Sequence, residues 1–183
     1  VHKKTDKRIV RTQELIFNSL QYFMEKGVAY SETSIQDISD NAGIARQTFY
    51  RNYLSKDEVI LLKLDEVMDC FMSNIVDCKI LHASDLAAIL IKYWSNEVKM
   101  FELLEWAGLE KKLIDRLSTF NKQIIEKNEK SVDNIEYVAN YFAGAIYMFL
   151  KTFITNKKRN NLEEIINLFC KLTNNCSALL NIG

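Results

Sequence analysis

Between Asp40 and Asp57 the segment NAGIARQTFYRNYLSK runs for sixteen residues without an acid. It carries three cations, Arg46, Arg51 and Lys56, interleaved with the amides of Gln47 and Asn52, the Thr48 hydroxyl and the phenols of Tyr50 and Tyr53. A guanidinium can bond two acceptors on one guanine edge, and a glutamine amide can do the same with adenine. Hydroxyls, phenols and ammonium groups bond phosphate oxygens. Carboxylates would repel such a partner, and this stretch has none. The implied chemistry is non-covalent recognition of a polyanion.

The rest of the chain limits that chemistry to one end. Formal net charge over all 183 residues is zero. Residues 1–56 hold nine Lys/Arg against six Asp/Glu, whereas the remainder holds fifteen against eighteen. A basic head on a mildly acidic body implies a polyanion at the first and another task for the second. Catalysis has little to work with. There is no G-x-S-x-G, H-E-x-x-H or phosphate-loop pattern, and the two histidines are His2 and His82. Cys70, Cys78, Cys170 and Cys176 form no CxxC pair, so the expectation is buried reduced thiols, no metal, no cofactor and no enzyme. The chain shows no signal-peptide pattern and no membrane-length apolar run. A cytoplasmic protein with no membrane partner is expected.

The polar groups need a scaffold. Proline is absent and only five glycines occur, which favours helices with short connections. Ile9, Ile16, Leu20 and Phe23 mark a helix over 6–26, with Gly27 suited to its end. Ser34 and Asp37 form a near capping box before a short helix at 35–41. Gly43 breaks it, and a second short helix at 45–52 turns Phe49 inward. Ser55 caps a long helix reaching about Asp77. Further helices are predicted near 84–95, 97–106, 109–128, 134–156 and 162–180. The fold class is therefore all-α, with about nine helices. A three-helix helix-turn-helix head at 1–56 precedes a second helical domain at 57–183.

Two short helices joined through a glycine turn, after one longer helix, present the second to the DNA major groove. The stretch TSIQDISDNAGIARQTFYRNYLSKDE, residues 33–58, also resembles the DNA-binding head of the tetracycline-repressor (TetR) family of bacterial regulators. Thr33, Ile38, Ala42, Gly43, Ile44, Thr48, Tyr50, Tyr53, Ser55, Lys56, Asp57 and Val59 fall on the family pattern. Ser39, Ala45, Gln47 and Asn52 depart from it, standing where alanine, a capping serine, glycine and histidine are usual. The first helix is similar as well. YFAGAIYMFLKTFITNKKRNNLEEIINLFCKL resembles the last two helices of a Firmicutes-type ligand-binding domain.

The resemblance implies a bacterial, nucleoid-associated protein. It also implies phosphate contacts at Thr48, Tyr50 and Lys56, with Arg51 and Asn52 meeting either the backbone or solvent. Base reading falls to Arg46 and Gln47, and to Gln36 on the preceding helix, where a solvated role is equally open. Lys3, Lys4, Lys7 and Arg8 form a basic arm, either frayed or reaching DNA.

One two-turn helix reads too few bases to find a site, so a homodimer on a palindrome is expected. The family likeness places its interface on the last two helices, at Tyr141, Phe142, Ala145, Phe149, Phe153, Ile165, Ile166, Phe169 and Leu172. Tyr93, Trp94, Met100, Phe101, Leu104, Trp106 and Phe120 form an aromatic and methionine cluster. It is either plain core or the lining of a pocket for an apolar or aromatic effector. The expected function is a repressor released by a small molecule. The alternatives are an activator, or a protein of this fold controlled by a protein partner.

Overall fold

The computed structural model describes residues 7–76, 83–127, 133–156 and 161–180, without the side chains of 74, 76, 83–87 and 173–180. Nine α-helices and one short 3-10 turn, and no strand, occur among these residues. They are α1 (Lys7–Glu25), the 3-10 turn (Tyr30–Glu32), α2 (Ile35–Asn41), α3 (Arg46–Asn52) and α4 (Lys56–Val76). There follow α5 (Ala83–Trp94), α6 (Val98–Ala107), α7 (Glu110–Lys127), α8 (Ile135–Thr155) and α9 (Leu162–Leu180). Each expected helix is present, with its ends moved by a residue or so.

The chain forms two compact units. The first comprises Val1–Glu66 with Lys99–Glu110, the second Val67–Val98 with Lys111–Gly183. The first therefore takes in more than residues 1–56, because α4 as far as Glu66 and α6 from Lys99 onward belong to it. Trp106 donates its indole N–H to the Val28 carbonyl at 2.8 Å, and its ring meets Tyr30 edge-on with centroids 4.9 Å apart. Lys99 pairs with Glu25 at 2.7 Å.

Apolar periodicity builds the core of this unit: Ile16, Leu20, Ile38, Phe49, Ile60 and Leu64 are fully buried. Ser19, also buried, donates to the Ile38 carbonyl at 3.0 Å and ties α1 to α2. The Ser34–Asp37 capping box is complete, each residue bonding the other's backbone N–H. Gly43 has φ +66°, a left-handed conformation that a β-carbon would strain, and it lets Ile44 N–H return to the Ser39 carbonyl at 3.0 Å. The turn into α3 is thereby fixed.

In the second unit Phe71, Trp94, Leu113, Leu117, Phe120, Phe142 and Leu150 are buried. Asn121 donates to the Ala139 carbonyl at 3.1 Å, and Ser118 bonds Asn140 at 2.7 Å, joining α7 to α8. Cys70 corrects the expectation of buried thiols: it is exposed, since α4 buries Val67, Met68 and Phe71 and leaves 70 on the opposite side. Cys170 is partly covered, and Cys78 and the Cys176 side chain lie outside the described residues.

Three phenols are held neutral. Tyr30 is pushed above its ordinary value first by burial and then by its hydrogen bond to Asp57. Tyr53 and Tyr93 are each pushed up to about 12, mainly by burial. A raised folded-state value means the stabilisation is complete below 10.0, the ordinary tyrosine value, and is lost as pH climbs through the folded values. Urea titrations are expected to show a midpoint that declines between pH 10 and pH 12, and Tyr93→Phe should blunt the decline.

Candidate nucleic-acid interface

Helix α3 is only seven residues long, so which side it buries decides what it can touch. Phe49 is fully buried, with ring centroids 5.8 Å from Tyr50 and 6.0 Å from Tyr53. This anchors one side and leaves Arg46, Gln47, Tyr50 and Arg51 exposed on the other. Tyr50 is 45% exposed and is not a core aromatic. Its hydroxyl accepts from Arg46 at 3.2 Å, and the guanidinium stands 5.6 Å from the ring centroid. Arg46 and Tyr50 are one turn apart, so the ring steadies the guanidinium along the helix. Gln47 projects from the same exposed face.

Thr48, Arg51 and Asn52 meet residues of α1. Together with Arg8, Ile9, Thr12 and Gln13 they line an acid-free cleft of about 360 Å³. The cleft thus brings one residue of the basic arm to α3; Lys7 is exposed, and Lys3 and Lys4 lie outside the described residues. The sequence reading missed Thr12 and Gln13. The signal was available, since Thr12 is one turn from Arg8 and donates to its carbonyl at 2.9 Å.

Three expected contacts are engaged elsewhere. Asn52 donates its amide to the Thr48 carbonyl at 2.8 Å, within its own helix. Gln36 is exposed, but its amide donates to Asp40 one turn along at 2.8 Å. The third is the partly covered Lys56, whose ammonium bonds backbone carbonyls of its own unit. It donates to the Tyr30 carbonyl and, at 2.9 Å, to the Thr33 carbonyl, and lies 4.0 Å from the centre of the Tyr30 ring. Burial pulls its pKa below the ordinary lysine value despite Asp57 beside it.

Residues of the body fall into different settings. Tyr93, Trp94 and Phe120 belong to the second unit, whereas Met100, Phe101, Leu104 and Trp106 belong to the first, so the aromatic cluster is divided. Tyr93 donates to the Val67 carbonyl at 2.8 Å and its ring lies on Phe71. The buried indole N–H of Trp94 has no acceptor among the described residues. The residues expected at a dimer face divide too. Phe142, Ile165 and Phe169 are buried within the protomer, the last packed on Phe149 at 4.8 Å, so they form core rather than surface. Phe153 and Ile166 are partly covered, while Tyr141, Ala145 and Leu172 are exposed. Tyr137, Met148 and Leu168, which the sequence reading passed over, are exposed as well. Tyr137, Tyr141 and Met148 form a stripe along α8. Leu168 and Leu172 line an apolar groove of about 300 Å³ with Phe149 and Phe153.

A recognition helix set after a glycine turn, on an all-helical body, defines the class: a helix-turn-helix DNA-binding regulator. Residues 19–61 match the family model for "Bacterial regulatory proteins, tetR family". No curated protein matches the chain in sequence. Among solved structures, Lin0861 from Listeria innocua is similar at 20% identity and TM-score 0.82, with 96% of each chain covered. A protein of Syntrophomonas wolfei described as a TetR-family transcriptional regulator gives 20% identity and TM-score 0.65, covering 94% of this chain and 97% of its own. The dihydroxyacetone kinase operon activator DhaS gives 19% and 0.60, covering 88% and 93%. Residues 19–61 thus match the DNA-binding head of that family, and the chain shares the fold of these solved structures.

Proposed function

We propose that the protein acts as a homodimeric repressor that occupies a palindromic operator and is released by a small molecule. The exposed, acid-free face of α3, with Arg46 stacked on Tyr50 opposite the buried Phe49, carries this reading. Arg46 and Gln47 read bases from that face, and Gln36 joins them if it gives up Asp40. Tyr50 and the cleft containing Arg8, Thr48, Arg51 and Asn52 take backbone phosphates, with Lys7 and the rest of the arm, Lys3 and Lys4, alongside. DNA contact falls within 1–56, effector binding and dimerisation within 57–183.

Two heads about 34 Å apart meet successive major grooves on one side of a duplex. The exposed apolar stripe on α8 and the groove on α9 support dimerisation there. For the effector, the orphan N–H of Trp94 supports a ligand with a hydrogen-bond acceptor, since an unpartnered buried donor is costly. A ligand releases DNA only to the extent that it prefers one spacing of the heads. Repression is favoured as occupancy of promoter DNA; an operator placed upstream would make the same head an activator. No catalytic step is assigned.

Selection of bound duplexes from a random pool, at two salt concentrations, tests the reading. A two-fold symmetric site is expected, with binding that weakens as salt rises. On that site Arg46→Ala should cost about 1–3 kcal/mol and relax preference at one base position. Equal losses on cognate and random DNA would contradict a base-reading Arg46.

A further inference from the structure

We propose that two copies of the chain pair through antiparallel α8 helices that cross at Gly144–Ala145, so that each copy's Tyr137 enters the α8–α9 groove of the other. The inference rests on the homodimer proposed above and names how its faces interlock. Gly144 stands in the middle of a 21-residue helix, where glycine weakens the helix relative to alanine. The protomer gives no reason for it, since a β-carbon there would meet no described atom outside its own helix within 4 Å. A second helix crossing at this point supplies the reason, because two backbones approach closely where a side chain is missing. Tyr137, Tyr141, Ala145 and Met148 are exposed along the same face. Residues 137–150 include no charge, and Glu136 and Lys151, the two charges of α8, stand at either end of that stretch.

A helix face that pairs with its own copy obeys a two-fold axis, so its contacts are reciprocal. Centred on Gly144–Ala145, antiparallel pairing sets Tyr141 against the partner's Met148, each about 5 Å along the helix from the crossing. An aromatic ring and a thioether attract one another. Tyr137 and the partner's Thr152 fall opposite each other about 11 Å from the crossing. Thr152 lines the groove of about 300 Å³ with Phe149, Phe153, Leu168 and Leu172. Tyr137 is 79% exposed, an aromatic ring that its own protomer leaves in water. The groove offers that ring an apolar bed, and Thr152 and Asn156 give it a polar edge for the hydroxyl. Charge favours the same direction. Antiparallel pairing brings the Glu136 end of one α8 to the Lys151 end of the other, whereas parallel pairing would set like charges together. Glu136 pairs with Lys122, and Lys151 lies over the Tyr147 ring at 5.9 Å from its centre, so both charges are held near the helix ends.

Equilibrium sedimentation of the full chain over a concentration series tests this arrangement. Gly144→Leu is expected to keep the parent's helical content, because the protomer leaves room for the new side chain. It should raise the dimer dissociation constant about a hundredfold, by forcing the crossing helices apart. A Gly144→Leu protein as dimeric as the parent overturns the proposal. The groove is tested by a double-mutant cycle of Tyr137→Ala with Leu168→Ala. Both residues are exposed, so neither change endangers the fold. Fifteen residues of α8 separate Tyr137 from Thr152, about 22 Å of helix, so the two ends cannot couple by contact within one protomer. Each single change should weaken the dimer about tenfold, and the pair little more than either alone. Independent losses that multiply would leave the groove to another occupant and overturn the proposal; parallel helices, which set Tyr137 beside the partner's Tyr137, give that result. A parent that sediments as a monomer throughout takes the homodimer reading down with this one. A parent dimer indifferent to Gly144→Leu leaves the homodimer standing and removes only the crossing.

Discussion

With glutamate at position 148, the protein is expected to stay folded, to run as a monomer and to bind a selected palindrome at least a hundredfold more weakly. Met148 is 57% exposed on α8, in line with Tyr137 and Tyr141, which are 79% and 63% exposed. A carboxylate there costs the isolated protomer little, because it stays in water; surface changes of this kind fall within about 0.5 kcal/mol. Brought into an apolar contact between two copies, the same carboxylate must lose its water without gaining a partner, a penalty of several kcal/mol. Two linked heads gain about 10²–10⁴ in avidity over one, and a monomer forfeits it. Sedimentation at micromolar concentration, paired with a binding titration, checks both halves. A Met148→Glu protein that remains dimeric would move the interface away from this stripe.

Phe49→Ala should have the largest effect on stability. Phe49 is fully buried and touches the rings of Tyr50 and Tyr53. Truncating such a phenylalanine costs about 3–5 kcal/mol, through lost burial and the cavity left behind. Whole domains have only about 5–15 kcal/mol to lose. The seven residues of α3 cannot sustain a helix alone, and the N-cap Ala45 offers no side-chain hydrogen bond. Hydrogen exchange across 35–52 should approach unprotected rates, while α7 and α8 in the second unit stay protected. DNA binding should vanish on every sequence, in contrast to the site-selective loss from Arg46→Ala. Retained protection across 46–52 would show that α3 is held by something other than Phe49.

The helices were legible because their signals are local. Apolar spacing, the Ser34–Asp37 cap and the two glycines at helix ends placed nearly every boundary. The outward face of α3 followed from the same arithmetic, since an inward Phe49 leaves Arg46 and Tyr50 pointing away from the core. Side-chain destinations were harder to read. Lys56 matches a family position, yet spacing says nothing about whether its four-carbon stem turns toward DNA or toward a carbonyl. Gln36 could have been paired with Asp40 from their four-residue separation, a rule that the search for base readers passed over. For the cluster from Tyr93 to Phe120, apolar type alone leaves plain core and pocket lining open, and its residues belong to two different units. On α8 and α9 apolar character alone could not separate Phe142, which faces its own protomer, from Tyr141, which faces water.

Trp106 and Lys99 finish a structure that begins some eighty residues earlier, where Val28, Tyr30 and Glu25 await them. A ribosome adds roughly 5–20 residues each second, so the nascent recognition motif emerges seconds before its closing piece. Until α6 has cleared the exit tunnel, the turn around Val28 lacks its indole partner. On the proposed reading, competence to find an operator therefore waits for α6, although the residues proposed to touch DNA are made before it.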